Sequence, residues 1–101
     1  MSAPIGVDGP MVATAAAVET AGAGTMAGTT AGAAEPICGV IPPGADDASI
    51  GAGTGFAARG AETAALMAQL TTVRGLFAAT MASSGVAYEA TDALSEAALA
   101  L

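Results

Sequence analysis

Three of the five prolines fall within one short stretch, Ala34–Asp47, which reads Ala-Glu-Pro-Ile-Cys-Gly-Val-Ile-Pro-Pro-Gly-Ala-Asp-Asp. Proline lacks an N–H and its ring clashes with the preceding helical turn, so the sequence predicts that the chain turns here. Long runs of Ala, Thr, Gly, Met and Leu flank it on both sides with almost no further prolines. The expected fold is all-α, a two-helix antiparallel hairpin folded about this connector. A two-helix hairpin cannot cover all of its own faces, and that becomes the functional question.

The predicted organisation is a flexible lead-in over residues 1–8, helix 1 over about 10–33, the connector 34–47, helix 2 over about 48–84, and a tail over 85–101. Pro10 suits a first helical turn, and Asp8 stands near the positive end of the helix dipole. Asp46, Asp47 or Ser49 is a candidate cap for the second helix. Gly51, Gly53 and Gly55 soften that start, and Gly85 either caps or loosens the end. Gly24, Gly28 and Gly32 recur every fourth residue, as in stripes that let another helix approach closely. The competing reading is a glycine-weakened helix end. In helix 2, Leu66, Leu70, Val73, Phe77, Met81, Ser84 and Tyr88 step by 4, 3, 4, 4, 3 and 4, which is one helical face. Between Glu62 and Glu89 the single charge is Arg74. Such a stretch is best explained as packed on two sides, once by helix 1 and once by another protein.

Composition narrows the function further. Nine acids oppose two arginines, for a net charge of −7, so a phosphate backbone is repelled and nucleic-acid binding is not expected. There is no histidine, which removes Ser-His-Asp and Cys-His catalysis and histidine zinc sites. The single Cys38 cannot form an internal disulfide and reads as a small half-buried hydrophobe; crosslinking or modification after export is the lesser alternative. Neither an enzyme, nor a cofactor, nor a metal site, nor a small-molecule substrate is expected. More than half of the hydrophobic fraction is alanine, and Leu, Ile, Val and Phe make up fewer than one residue in five. Small side chains bury little area, so the hairpin is expected to be marginal alone and firm when paired. No basic segment precedes an apolar core at the start, so a cleavable signal peptide is not expected, nor is a transmembrane helix.

Three features together resemble the PE domain of mycobacteria, from the PE/PPE proteins exported by type VII (ESX) secretion systems. An Ala-rich first helix is followed by Gly39-Val40-Ile41-Pro42-Pro43-Gly44-Ala45-Asp46-Asp47, similar to the family's Val-Pro-x-x-Ala-Asp-Glu connector. Phe56 lies in the second helix near the family's phenylalanine. Ala82-Ser83-Ser84-Gly85-Val86-Ala87-Tyr88 is similar to the family's Ala-Ser-Ser-Gly-x-Tyr stretch, with one extra residue, and continues to Asp92 as Tyr-x-x-x-Asp. One departure stands out: Pro10-Met11 occupies the place of the Pro-Glu pair that names the family.

The resemblance implies a heterodimer in which this hairpin and a PPE hairpin complete a four-helix bundle. It implies an EspG-type chaperone gripping the PPE partner in the cytoplasm before export. It also implies a joint export signal, read by the type VII machinery, made by Tyr88 and Asp92 beside a Trp-x-Gly turn of the partner. The destination would be outside the cell or at its envelope. Residues expected at the interface are Met11, Val12 and Val18 of helix 1 with Phe56, Met67, Leu70, Val73, Phe77 and Met81 of helix 2. Which of these face helix 1 and which face the partner stays open at this point. The alternative is a self-associating homodimeric bundle with a structural role at the envelope. A membrane-active helix pair is disfavoured by the near absence of basic residues.

Overall fold

The computed structural model describes residues 5–101, so the first four residues of the lead-in lie outside the described residues. The fold is a helical hairpin of two elements, α1 (Gly9–Cys38, 30 residues) and α2 (Asp47–Leu99, 53 residues), with no strand among the described residues. Both helices start on an aspartate used in the same way. The Met11 N–H donates to Asp8 Oδ1 at 3.1 Å, and the Ser49 N–H donates to Asp46 Oδ2 at 3.0 Å. In each case the carboxylate satisfies a backbone donor that the first turn leaves without an intrahelical partner. Ser49 adds a second bond, its hydroxyl donating to Asp46 Oδ1 at 2.8 Å. The hydrogen bonds from Ser49, side chain first and backbone second, hold the Asp46 carboxyl below its ordinary value of 3.8.

The helix ends differ from the sequence expectation at two places. First, α1 does not stop at 33 but runs through Pro36 to Cys38. The carbonyl that Pro36 leaves without a donor is that of Gly32, an exposed residue with no side chain to crowd the ring, so water can take its place. Gly39 N–H still closes the last turn on the Glu35 carbonyl at 2.8 Å. The segment without helix is therefore 39–46, shorter than the expected 34–47. Second, residues 85–99 of the expected tail continue α2. Gly85 is no cap, since no described glycine has positive φ.

Two compact units make up the chain, one of residues up to Gly22 with Arg74–Leu101, the other Ala23–Val73. In the first, Gly9, Val12, Ala16 and Glu19 face Arg74, Ala78, Met81, Gly85 and Glu89, with Gly9 lying against the Glu89 side chain and Val12 against Gly85. In the second, Ala23, Met26, Thr30, Ala33 and Ile37 are the less exposed positions of α1, as Gly53, Ala57, Gly60, Ala64, Met67 and Thr71 are of α2. There the Ile37 carbonyl lies against Gly60, and Pro42 lies over Gly53. Within each unit these positions step by three or four residues, the spacing of a seam in a left-handed helix pair. What fills the seam is small. Among the described residues the buried hydrophobic side chains are two alanines, Ala16 at 5% exposure and Ala78 at 2%.

Candidate docking faces

The large apolar residues missing from the seam are on the outside. In the Ala23–Val73 unit, Phe56 (68% exposed), Leu66, Leu70 and Val73 are open, whereas Met67 is half-buried in the seam. In the other unit, Met11, Val18 and Phe77 (54% exposed) are open, and Val12 and Met81 are half-buried in the seam. The nine interface residues expected from the sequence thus divide. Val12, Met67 and Met81 serve the hairpin itself, and Met11, Val18, Phe56, Leu70, Val73 and Phe77 are left with their apolar surface uncovered. The sequence reading did not name Leu76, Val86 and Leu94 as interface residues, although they are similarly exposed.

Helical geometry shows how the open residues are grouped in the unit that holds both helix termini. Each residue turns the helix by about 100°, so Met11 and Val18 sit roughly 110° to one side of the seam positions Val12, Ala16 and Glu19. Phe77 and Tyr88 sit roughly 60° from the seam positions Arg74, Ala78, Met81 and Gly85, in the same rotational sense. Because the two helices run antiparallel, the same sense on each leads to the same side of the pair. Met11, Val18, Phe77 and Tyr88 therefore share one side. The opposite side carries Ala13, Ala17, Ala79 and Ala82, which offer little area for burial, with Val86 as its one large apolar residue among these turns.

Threonine hydroxyls do not interrupt these surfaces as polar groups normally would. Thr14, Thr20, Thr29, Thr30, Thr54, Thr71, Thr72 and Thr80 each donate to the carbonyl four residues earlier, at 2.9–3.1 Å. Each hydroxyl is satisfied inside its own helix and needs no partner outside it.

Tyr88 and Asp92 lie one turn apart on α2 and line different recesses. Tyr88 (54% exposed) lines a shallow one with Ser84, Ala87 and Thr91. Asp92 lines another at the start of α1, with residues 6–10, Glu89, Ala93 and Glu96. That recess gathers the carboxylates of Asp8, Glu89, Asp92 and Glu96 without a basic side chain. Among the described residues no group of three or more His, Cys, Asp or Glu could hold a metal ion, and no helix is long and apolar enough to cross a membrane. Cys38 is a free, half-buried thiol at the end of α1.

The glycines deliver close approach, though not at the positions the sequence pattern singled out. Gly24, Gly28 and Gly32 look onto open space within this chain. Close approach happens at Gly9, Gly22, Gly60 and Gly85, where a Cβ would meet Glu89, Arg74, the Ile37 carbonyl and Val12 respectively. The sequence analysis also missed the one pairing of charges across the hairpin among the described residues, Arg74 Nε to Glu19 Oε2 at 2.9 Å. Its signal was present: Arg74 is the lone charge in a long uncharged stretch. The pair anticipated between Arg59 and Glu62 spans 3.6 Å on the surface, where it contributes little.

Comparison with known proteins agrees with this architecture. The model of the PE family matches residues 6–95. A curated relative, PE family protein PE13 of Mycobacterium tuberculosis, is 38% identical over 88 residues, which is 87% of this chain and 88% of that protein. No solved structure matches. With the family model covering most of both helices and the connector between them, this chain belongs to the PE family.

Proposed function

We propose that the chain is a non-enzymatic adaptor, one half of an obligate heterodimer whose other half is a PPE-type hairpin, and that the pair is exported by a type VII secretion system. The observation that carries this reading is the burial pattern: among the described residues two alanines are the buried hydrophobic core while phenylalanines, leucines and valines stand open. The accessible surface is 7284 Å². A compact monomer of 9.4 kDa has about 5,000 Å² by the usual mass scaling. The surplus, about 2,000 Å², is of the size that permanent heteromeric interfaces cover. A partner hairpin laid on the side bearing Met11, Val18 and Phe77 in one unit, and on Phe56, Leu70 and Val73 in the other, would complete a four-helix bundle.

In this reading residues 9–84 dock the partner. Residues 85–101 carry the export signal, Tyr88 beside the partner's surface and Asp92 at the acidic recess. An EspG-type chaperone acts on the complex through the PPE subunit in the cytoplasm, and the assembled pair ends outside the cell or at its envelope.

The test is expression of the chain alone and together with a PPE-type protein encoded beside it, compared by solubility, circular dichroism and size-exclusion chromatography. A soluble, helical, one-to-one complex formed only on co-expression is the expected result. A chain that is stably helical and dimeric by itself, and that ignores the PPE protein, would replace this reading with the self-associating bundle.

A further inference from the structure

We infer that the Ala23–Val73 unit carries a groove on one side and a matching ridge on the opposite side, and that the groove takes the ridge of a second copy of this chain. The inference goes beyond the heterodimer reading, since it concerns what the chain does while no partner covers it. The groove lies between the two helices, has a volume of about 300 Å³ and is lined by Ala27, Thr30, Ala31, Ala34, Ala68 and Thr71, none of them charged. Its hydroxyls are already satisfied, Thr30 donating to the Met26 carbonyl and Thr71 to the Met67 carbonyl, both at 2.9 Å. No polar group in the groove asks for a partner, so what it accommodates is apolar.

The ridge is Leu66, Leu70 and Val73, each 59% exposed. At about 100° per residue, Ala27, Ala31 and Ala34 stand roughly 100° from the seam positions Met26, Thr30 and Ala33. Leu66, Leu70 and Val73 stand roughly 120° from Ala64, Met67 and Thr71 in the opposite rotational sense. In an antiparallel pair opposite senses lead to opposite sides, so ridge and groove face away from each other. They match in step as well. The alanine row and the leucine–valine row are both spaced by four and then three residues, and each extends about 10 Å. A row of large side chains packs as a ridge into the groove beside such a row of small ones, and alanine lets the axes approach.

A two-fold dimer cannot join surfaces on opposite sides of both copies at once. The contact is therefore heterologous, and copies add to one another in an open row. Each copy then meets two neighbours. The accessible surface of 7284 Å² exceeds that of a compact monomer of 9.4 kDa by about 2,000 Å². Shared between two neighbours, that is roughly 1,000 Å² each, enough for the roughly 800 Å² that a standard interface takes from one partner. A PPE-type hairpin laid over Leu70 and Val73 would occupy the ridge and end the row. That last consequence rests on the heterodimer reading, and the self-contact does not.

Sedimentation velocity of the full chain alone reads the contact, under reducing conditions that keep Cys38 from linking copies. Circular dichroism at the same concentrations reads folding. The mass is expected to rise with concentration past two chains, in a helical state. Ala31→Glu puts a carboxylate in the groove and Leu70→Glu puts one on the ridge. Each is expected to weaken self-association at least about tenfold, because the contact would bury an unpaired charge. Gln69→Glu adds the same charge at an exposed position roughly 170° from the seam, and is expected to change little. Mixed one to one, the two blocked variants are expected to form a species that stops at two chains. The Ala31→Glu chain keeps its ridge, and the Leu70→Glu chain keeps its groove.

The inference is overturned by a chain that stays monomeric or lacks helix, or by a discrete two-chain species of the unaltered chain. It is also overturned if Ala31→Glu assembles like the unaltered chain, if Gln69→Glu weakens assembly equally, or if the blocked variants do not pair. Loss of the PPE-type partner from Ala31→Glu would give the groove to that partner and overturn it too. Because sedimentation uses the chain without a partner, this inference and the heterodimer reading can each fail while the other stands.

Discussion

Glycine does opposite things at different positions of this chain, and alanine substitutions separate them. At Gly60 a Cβ would overlap the Ile37 carbonyl, which is backbone and cannot swing aside. Gly60→Ala is therefore expected to destabilise the hairpin by about 1–3 kcal/mol, the usual range for forced overpacking. Gly24 and Gly28 lie inside α1 with nothing near them. There alanine is expected to stabilise by up to about 1 kcal/mol, through helix propensity and a stiffer unfolded chain. Thermal unfolding followed by circular dichroism checks both signs, and a loss of stability at Gly24 or Gly28 would mean that something covers them. The sequence could not sort these glycines. A four-residue repeat fixes their common side, but which side faces the neighbouring helix depends on the whole helix's rotation about its axis. That rotation follows from the Ala16, Ala78 and Gly60 contacts, which span distant parts of the sequence.

At the level of the helices, the starts were legible and the ends were not. Asp8 and Asp46 act within one turn, so local sequence suffices to see them. The Asp46 carboxyl is held below its ordinary 3.8 by Ser49. A depressed carboxyl contributes stability that is fully present above the unfolded value and is lost as pH falls through the lower folded value. The α2 cap is thus intact above pH 3.8 and fades below it, and Asp46→Asn is expected to remove this acid dependence while keeping an acceptor at the cap. Helicity measured from neutral pH down to acid is the readout; an unaltered acid limb in the variant would show that Asp46 is not its source. Ser49→Ala should act in the same direction, because the Ser49 hydroxyl is the donor that lowers the Asp46 carboxyl most. The ends escaped prediction because Pro36 and Gly85 carry strong breaker propensities that local geometry neutralises. Pro36 stands one turn after Gly32, an exposed residue, and Gly85 provides room for Val12.

For the molecule as a whole, the proline cluster was enough to give the hairpin, whereas the division between seam and open surface was not visible. The run Leu66, Leu70, Val73, Phe77 reads as a core face, yet it lies outside a seam built of alanine, glycine, methionine and threonine. A single charge on that open surface should separate folding from assembly. Phe77→Asp is expected to leave the helicity of the chain nearly unchanged, since the ring is 54% exposed, and to abolish co-purification with the PPE-type partner. Equal co-purification of Phe77→Asp and the unaltered chain would place the interface elsewhere. Tyr88→Ala and Asp92→Ala are expected to reduce export at least about tenfold, and Asp92→Ala to do so with the complex intact. Culture-filtrate and cell fractions probed for both subunits would show it.

Helix α2 reaches Leu99, whereas α1 begins at Gly9 beside Glu89, so the last ten or so residues of α2 have no stretch of α1 alongside. Leu94 and Leu99 are open there, and Asp92 sits at the root of the projection. In the proposed scheme the address label is split: Tyr88 is written on the docking side and Asp92 at the root of the projection. The Asp92 half can be altered, or matched to a different reader, without reopening the negotiation between the two hairpins, whereas the Tyr88 half cannot.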